Sequence, residues 1–453
     1  MMSAMADIFG AGAMARWCAA WRADGLERAA ARSVRAEGRV VSAGVLAVLA
    51  LLSWATAIAG TTASAPEKRG SARGSAEAAR ESKVRVSPVI DDGEPLSPTG
   101  ALESAPYHGS LESIAWGGHG ELRFGYDLTA GVSNPDWFSV NRADGFFLAK
   151  LGSKIRLGGQ GAYDRAADKF VMERAEMIIS AKRTMDVHAG IFLAPLGRTN
   201  LDHDAPQYEF GERSLVATQL IGVPNAELGA GIRGAGSLSQ TFPFTYEFDM
   251  VTGYDDGVIM DAAGGTRVPA GRNNYGDQNG VPAAAWRLAF QPSVDTEIGL
   301  AMQSGPYNQT EAGGSSVDQA RWLHLLVADG ETRAGGFLLS AEGAFISIDV
   351  PPGLRDLYAE QQWGASVEAA HLLRRPIFNA WRGTSLSAAL RAEKVDFDTR
   401  IPGDSRTRVS ASLNVRPHPY AVIRTGWYYE WSRDRFDNMT PLGGLTLTVA
   451  SYF

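Results

Sequence analysis

The sequence predicts an all-β protein, a transmembrane antiparallel β-barrel of about sixteen strands. Three observations carry that expectation. Residues 445–453 alternate: Leu445, Leu447, Val449 and Phe453 share one face of an extended strand, and Thr446, Thr448, Ala450 and Tyr452 share the other. That period of two shows one face to an apolar medium and one to a wetter one. The same alternation recurs from Gly120 onward in segments of about ten residues, the length that crosses a bilayer when tilted. Finally, the one long apolar run, residues 40–60, stands near the amino terminus behind Arg28, Arg32, Arg35 and Arg39.

Basic, apolar and small-residue regions in that order describe a secretory signal. Ala-x-Ala sites end at Ala59 or Ala65, and Met14 is an alternative start. Residues 1–65 are therefore expected to be cleaved. A retained anchor is the rival, because the run approaches the roughly 20 residues that span a bilayer. The sole cysteine, Cys18, precedes the apolar run and would leave with it. The mature chain would then lack a disulfide framework, a thiolate metal site and a cysteine nucleophile. Residues 66–114, rich in Ala, Ser, Gly, Glu, Arg and Pro, cannot bury enough apolar area to offset their ordering entropy and are expected to be a disordered periplasmic linker. The barrel is assigned to residues 115–453.

Within that body the strands follow in order. Val187, Ala189, Ile191 and Leu193 oppose His188, Gly190 and Phe192; Leu228, Ala230 and Ile232 oppose Gly229, Gly231 and Arg233. Phe244, Tyr246, Phe248 and Met250 oppose Glu247 and Asp249; Trp286, Leu288 and Phe290 oppose Arg287 and Gln291. Val409, Ala411, Leu413 and Val415 oppose Arg408, Ser410, Ser412, Asn414 and Arg416; Ile423, Trp427, Tyr429 and Trp431 oppose Arg424, Tyr428 and Glu430. Aromatics gather toward strand ends, as interfacial girdles require. Tight connections at 181–185 and 417–420 alternate with long ones at 255–282 and 305–318, the rhythm of periplasmic turns and outer loops. About fifteen strands are visible, and single-chain bacterial barrels have even numbers, so a further one is expected within residues 145–163. A soluble sandwich or propeller would also alternate, but would place Val, Ile and Leu inward. Here the polar face carries Arg and Glu, which suits a wet lumen. The net charge of −7 gives no nucleic-acid footprint.

Residues 145–234 carry Gly145-Phe-Phe-Leu, Glu173-Arg-Ala-Glu-Met-Ile-Ile, Ala189-Gly-Ile-Phe-Leu-Ala-Pro-Leu-Gly-Arg-Thr-Asn, Arg213-Ser-Leu-Val-Ala-Thr-Gln-Leu-Ile-Gly and Glu227-Leu-Gly-Ala-Gly-Ile-Arg-Gly. This pattern resembles the phosphate-selective porin O/P family and its outer-membrane relatives, and residues 408–416 and 421–433 resemble that family's closing strands. The resemblance implies a Gram-negative outer-membrane channel, a homotrimer, and a long loop folded into the barrel as its constriction. The matching loop is residues 195–224. The lysine and arginine ladder of the phosphate-specific members is not visible here, so phosphate selectivity is not carried over.

The expected pore-lining set is Arg198, Asp202, His203, Asp204, Glu212 and Arg213 on the loop, with Arg174, Arg233, Arg287, Arg408 and Arg424 on the wall. Guanidinium groups in a narrow aqueous pore attract anions and orient polar solutes; opposed acids would set a field across it. The expected role is passive diffusion of small hydrophilic or anionic solutes, with outer-membrane lipid around the barrel and the insertion machinery reading Phe453. A plugged barrel serving as a surface-binding or structural protein is the alternative. No cofactor, nucleic acid or resident metal is expected. His203 between Asp202 and Asp204 offers carboxylate and imidazole donors to a divalent ion, but salt bridging explains it equally. No catalytic residue is assigned, because no nucleophile elbow, H-E-x-x-H or phosphate loop is present. A barrel hydrolase would need a Ser and a His within hydrogen-bond reach on one strand pair.

Overall fold

The structure is a computed structural model and describes residues 109–453, apart from 112, 165–167, 239–241, 260–264, 273–274, 278 and 380–382. The expected signal region 1–65 and residues 66–108 of the expected linker lie outside the described residues. The end of that linker is not wholly irregular. Gly109–Leu111 forms a short strand folded back antiparallel on residues 114–116.

Sixteen long strands follow: β1 Ile114–Thr129, β2 Val132–Leu151, β3 Ile155–Asp164, β4 Lys169–Lys182, β5 Met185–Leu193, β6 Ala226–Ser237, β7 Pro243–Val251, β8 Ala283–Ser293, β9 Thr296–Pro306, β10 Trp322–Ala334, β11 Phe337–Ile348, β12 Gln361–Arg374, β13 Ser385–Asp396, β14 Ser405–His418, β15 Ala421–Arg433 and β16 Met439–Tyr452. Each pairs antiparallel with its neighbours, and β16 pairs with β1 from Leu442↔Thr129 to Tyr452↔His119. The sheet is therefore closed. Residues 145–163, where a strand was expected beyond those visible in the alternation, contain the β2–β3 hairpin.

Side chains follow the pleat. On β16, Leu445, Leu447 and Val449 are exposed outward, as are Ile423 and Trp427 on β15, while Thr448, Ala450 and Arg424 are buried within. An apolar outer wall around a closed ladder leaves no open edge, the condition lipid imposes on a spanning sheet. No helix among the described residues is long and apolar enough to cross a membrane; the strands cross it. The protein is an outer-membrane β-barrel.

One rim carries the long connections 194–225, 252–282, 307–321, 349–360, 397–404 and 434–438. The other carries 152–154, 183–184, 294–295, 335–336 and 419–420. The rhythm has exceptions: the tight turn 130–131 lies on the long-loop rim and the longer 375–384 on the opposite one. A bulge on β4 opposite Gln160 and Gly161 inserts one residue, so that both Glu173 and Arg174 are buried instead of alternating.

The seam ends in a reciprocal pair of backbone hydrogen bonds, Gly118 N to Phe453 O and Phe453 N to Gly118 O, each 2.9 Å. A Cβ at Gly118 would stand 2.6 Å from the Asp144 carbonyl and 2.6 Å from the Phe453 ring. Gly118→Val should therefore lower stability by about 1–3 kcal/mol through overpacking, read as a lower urea midpoint of the folded barrel. An unchanged midpoint would mean that the seam tolerates a side chain there.

Candidate functional site

The connection 194–225 folds into the barrel. Its neck is clasped by Asn200, whose amide donates to Ala194 O at 2.7 Å and Asn225 O at 2.9 Å while its carbonyl accepts from Asn225 N at 2.6 Å. Between these ends run an α-helical turn Arg198–Leu201, a 3-10 turn Ala205–Gln207 and a π-helical turn Val216–Ile221. Such short turns leave backbone groups without partners of their own, and in a lumen those groups must find donors and acceptors on the wall.

Wall arginines supply them. Arg424 Nε donates to Tyr208 O at 2.9 Å, and its Nη2 donates to Ala205 O. Arg416 donates to Pro206 O at 2.7 Å and Tyr208 O at 3.2 Å. Arg408 reaches Arg213 O at 2.7 Å, and Glu393 accepts from Leu215 N at 2.5 Å. These strands lie across the barrel from β5 and β6, where the loop begins and ends.

Two buried charge clusters lie to either side. Beneath the loop, His203 meets Glu173 at 2.8 Å, and Arg142 donates to both Glu173 and Asp144 at 2.6 Å. Asp204 faces His119 at 3.2 Å and accepts from Tyr452 Oη at 2.9 Å. Burial alone would raise the Asp204 carboxyl. The hydrogen bond and charge of His119, the charge of His203 and the Tyr452 hydroxyl outweigh it and hold the group well below the usual carboxylate range. Asp144, Glu173 and His203 bring ligand atoms within 4.8 Å of one another, but the Arg142 guanidinium already occupies the cation position between the two carboxylates. On β4 to β7, His188 stands between Glu176 at 3.6 Å and Asp249 at 3.0 Å, with Arg233 at 3.6 Å from Glu176. Arg174 joins the same group at 3.5 Å from Glu176.

The lumen has a second character that the alternation did not suggest. Leu323, Leu325 and Val327 of β10, Ile346 and Ile348 of β11 and Val395 of β13 face inward, and all are buried. They pack against Leu215, Val216, Leu220 and Ile221 of the loop and against Tyr254, Val258 and Val268 of the connection 252–282. One side of the barrel therefore holds a dry apolar core.

A charged cleft lies between the loop and β10–β13. Of the sequence-predicted residues, Arg198, Asp202, Glu212 and Arg213 line it. His203 and Asp204 join the loop to the wall cluster of Glu173, Arg142, Asp144 and His119, Arg174 and Arg233 lie in the His188 cluster, and Arg408 and Arg424 hold the loop to the wall. Arg287 is paired with Asp329 beside the cleft. The sequence analysis missed Asp329, Glu331, Glu342 and Glu368, which also line the cleft. Their signal was present as acids at alternate positions, Asp329 and Glu331 on one strand and Glu342 directly on the next. Gly197 (φ 81°) lets the loop approach closely, since a Cβ there would stand 2.5 Å from the Glu342 carboxylate.

On the lipid-facing wall, Ser304 and His324 share a hydrogen bond of 2.8 Å across β9 and β10. The next residue across the sheet from His324 is Ser347, a hydroxyl and not a carboxylate, and the imidazole stacks on Trp322 at 5.9 Å.

No model of a known protein family matches the chain, and no curated protein matches it in sequence. Solved barrels are similar in fold. An anion-selective porin from Comamonas acidovorans aligns at 11% identity and TM-score 0.47, over 75% of this chain and 99% of that one. OprB of Pseudomonas putida aligns at 10% and 0.47, over 76% and 94%. The outer membrane channel DcaP of Acinetobacter baumannii aligns at 10% and 0.47, over 76% and 99%. The fold itself rests on the closed ladder.

Replacing Arg424 with Met would remove one donor from each of two loop carbonyls and leave Glu121, 3.1 Å away, buried without that cation. Such a break costs about 3–5 kcal/mol and should expose the loop to trypsin at Arg213 in the folded barrel. Unchanged proteolysis would mean that the other tethers suffice. Asp204 also sets a pH dependence. Its folded pKa is depressed, so its contribution is complete above the ordinary aspartate value of 3.8 and is lost as pH falls through the depressed value. The denaturant midpoint should drop in strong acid, and Asp204→Asn should flatten that part of the curve. An identical acid profile in the variant would assign the loss to other groups.

Proposed function

We propose that this barrel is a channel for passive diffusion of small hydrophilic solutes, with the loop 195–224 setting its width. The observation that carries this is the charged cleft left between the loop and β10–β13. Around it the wall is polar and the partners are fixed, as a water-filled constriction requires. The sequence-predicted arginines lend no support to phosphate selectivity, because Arg408 and Arg424 donate to the loop backbone and to Glu393 and Glu121, and Arg174, Arg233 and Arg287 pair with acids.

The proposal extends to the parts not described: a cleaved secretory region at 1–65 and a linker from residue 66. It also includes a homotrimer and assembly through the insertion machinery, for which Phe453, exposed on the lipid side, is the recognition residue. It makes the protein a channel and not an enzyme. The Ser304–His324 pair lacks an acidic third member opposite the histidine and suits a polar anchor at the interface.

A second reading, a plugged barrel with a structural or surface-binding role, is favoured by the dry core and by tethers reaching from the loop to several strands. Conductance in planar bilayers separates the two. The purified mature protein should give stepwise channel openings, and removing residues 198–221 should enlarge each step. Silence from the intact protein followed by large steps after the deletion would establish the plugged barrel instead.

A further inference from the structure

We propose that the acidic stretch at residues 91–103, ahead of the barrel, docks on the basic rim formed by the β2–β3 and β4–β5 turns. This rests on the reading that residues from 66 onward stay in the mature chain. Residues 150–156 and 180–186, the two turns with their flanking strand ends, carry Lys150, Lys154, Arg156, Lys182 and Arg183 against one acid, Asp186. Asp186 is buried and already paired with Arg156 at 2.5 Å. Lys150, Lys154, Lys182 and Arg183 are all exposed. Among the described residues, no acid pairs with Lys150, Lys154 or Lys182. The two turns are neighbours: Ile155 stands opposite Ile179 in register, and Ser180 N donates to Lys154 O at 2.8 Å. A chain of net charge −7 thus gathers positive charge at one place, and such a patch suits an anionic partner.

The independent observation is where the chain enters the barrel. Lys150 N donates to Ser113 O at 2.7 Å, and Ile114 pairs with Ala149. Gly109–Leu111 lies on residues 114–116, so the segment before residue 109 is delivered beside the first of the two turns. That segment is anionic. From 86 to 108 the sequence holds Asp91, Asp92, Glu94 and Glu103 and no lysine or arginine. Its reach is ample. Glu103 stands six residues before Gly109 and Asp91 eighteen, spans of up to about 20 and 60 Å. The rim from β1 to β4 covers only about 15 Å at the usual strand spacing. Single exposed ion pairs are weak and screened by salt, but a short tether holds the partner at an effective concentration in the mM range. That favours the chain's own segment over a free anion of the same charge. The docked stretch would lie beside the mouth on the short-connection side of the barrel.

The test is the distance between spin labels on Ser97→Cys and Ser153→Cys in the purified mature protein, diluted with unlabelled protein so that only pairs within one chain are read. The sole native cysteine, Cys18, lies in the region expected to be cleaved. At about 20 mM salt the labels should give one narrow distance population, and it should broaden at about 500 mM, where the screening length falls to roughly 4 Å. Neutralising the stretch with Asp91→Asn, Asp92→Asn, Glu94→Gln and Glu103→Gln should broaden it at every salt concentration. Should the labels disturb the turn, acetylation of the unlabelled protein decides: Lys150, Lys154 and Lys182 should react several-fold more slowly at low salt than in the neutralised variant. A broad, salt-independent distribution with equal acetylation rates overturns the docking. A narrow population seen only without dilution assigns the rim to a second copy, and lysines shielded equally in both proteins only when anionic phospholipid is added assign it to lipid headgroups; either result overturns it as well. A mature chain that begins beyond residue 103 overturns the docking together with the reading on which it rests.

Discussion

Everything in this barrel depends on one constraint: lipid offers no partner to a backbone amide or carbonyl. The pairing of β16 with β1 meets it by removing the last open edges. Closure then fixes which face of every strand meets lipid and which meets the lumen, because the pleat allows no other choice. Phe453 and Gly118 complete the seam where the ladder runs out.

The same constraint acts a second time inside. A loop drawn into the lumen brings peptide groups that no sheet satisfies. The wall answers with Arg391 and Arg408, which share the Arg213 carbonyl, and with Arg416 and Arg424, whose forked guanidinium groups reach two carbonyls each. Glu393 answers a loop amide. On the remaining flank, the π-helical turn Val216–Ile221 supplies backbone partners of its own, and Leu215, Val216, Leu220 and Ile221 bury their side chains against β10 and β11. Polar tethers to β13–β15 and an apolar contact with β10 and β11 fix the loop, and the charged cleft lies between it and β10–β13.

Much of this was legible in the sequence. Alternation identified the strands and their facing from Val187 to Trp431, and even parity pointed to the hairpin within residues 145–163. The loop was placed by resemblance. The roles of the arginines were not legible, since alternation says that Arg424 faces inward but not whether water or a carbonyl awaits it. Leu323, Leu325 and Val327 were unreadable for a related reason: the inner face of β10 is apolar from Leu323 to Val327, and period two cannot tell a lipid-facing leucine from one that packs on a loop far away in the chain. The bulge that buries both Glu173 and Arg174 also broke the rule on which facing was inferred.

The tethers also impose an order of events on assembly. Arg416 is separated by 210 residues from the Pro206 carbonyl it holds, and Arg424 by 219 from that of Ala205. Contacts so distant in sequence form late, after loop-closure entropy has been met elsewhere. Neighbouring strands, joined mostly by short connections, would thus pair before these tethers form. The loop would dock only when β13 to β15 present their guanidinium groups. The interior is the final part to be built, and its seating reports that the barrel has closed.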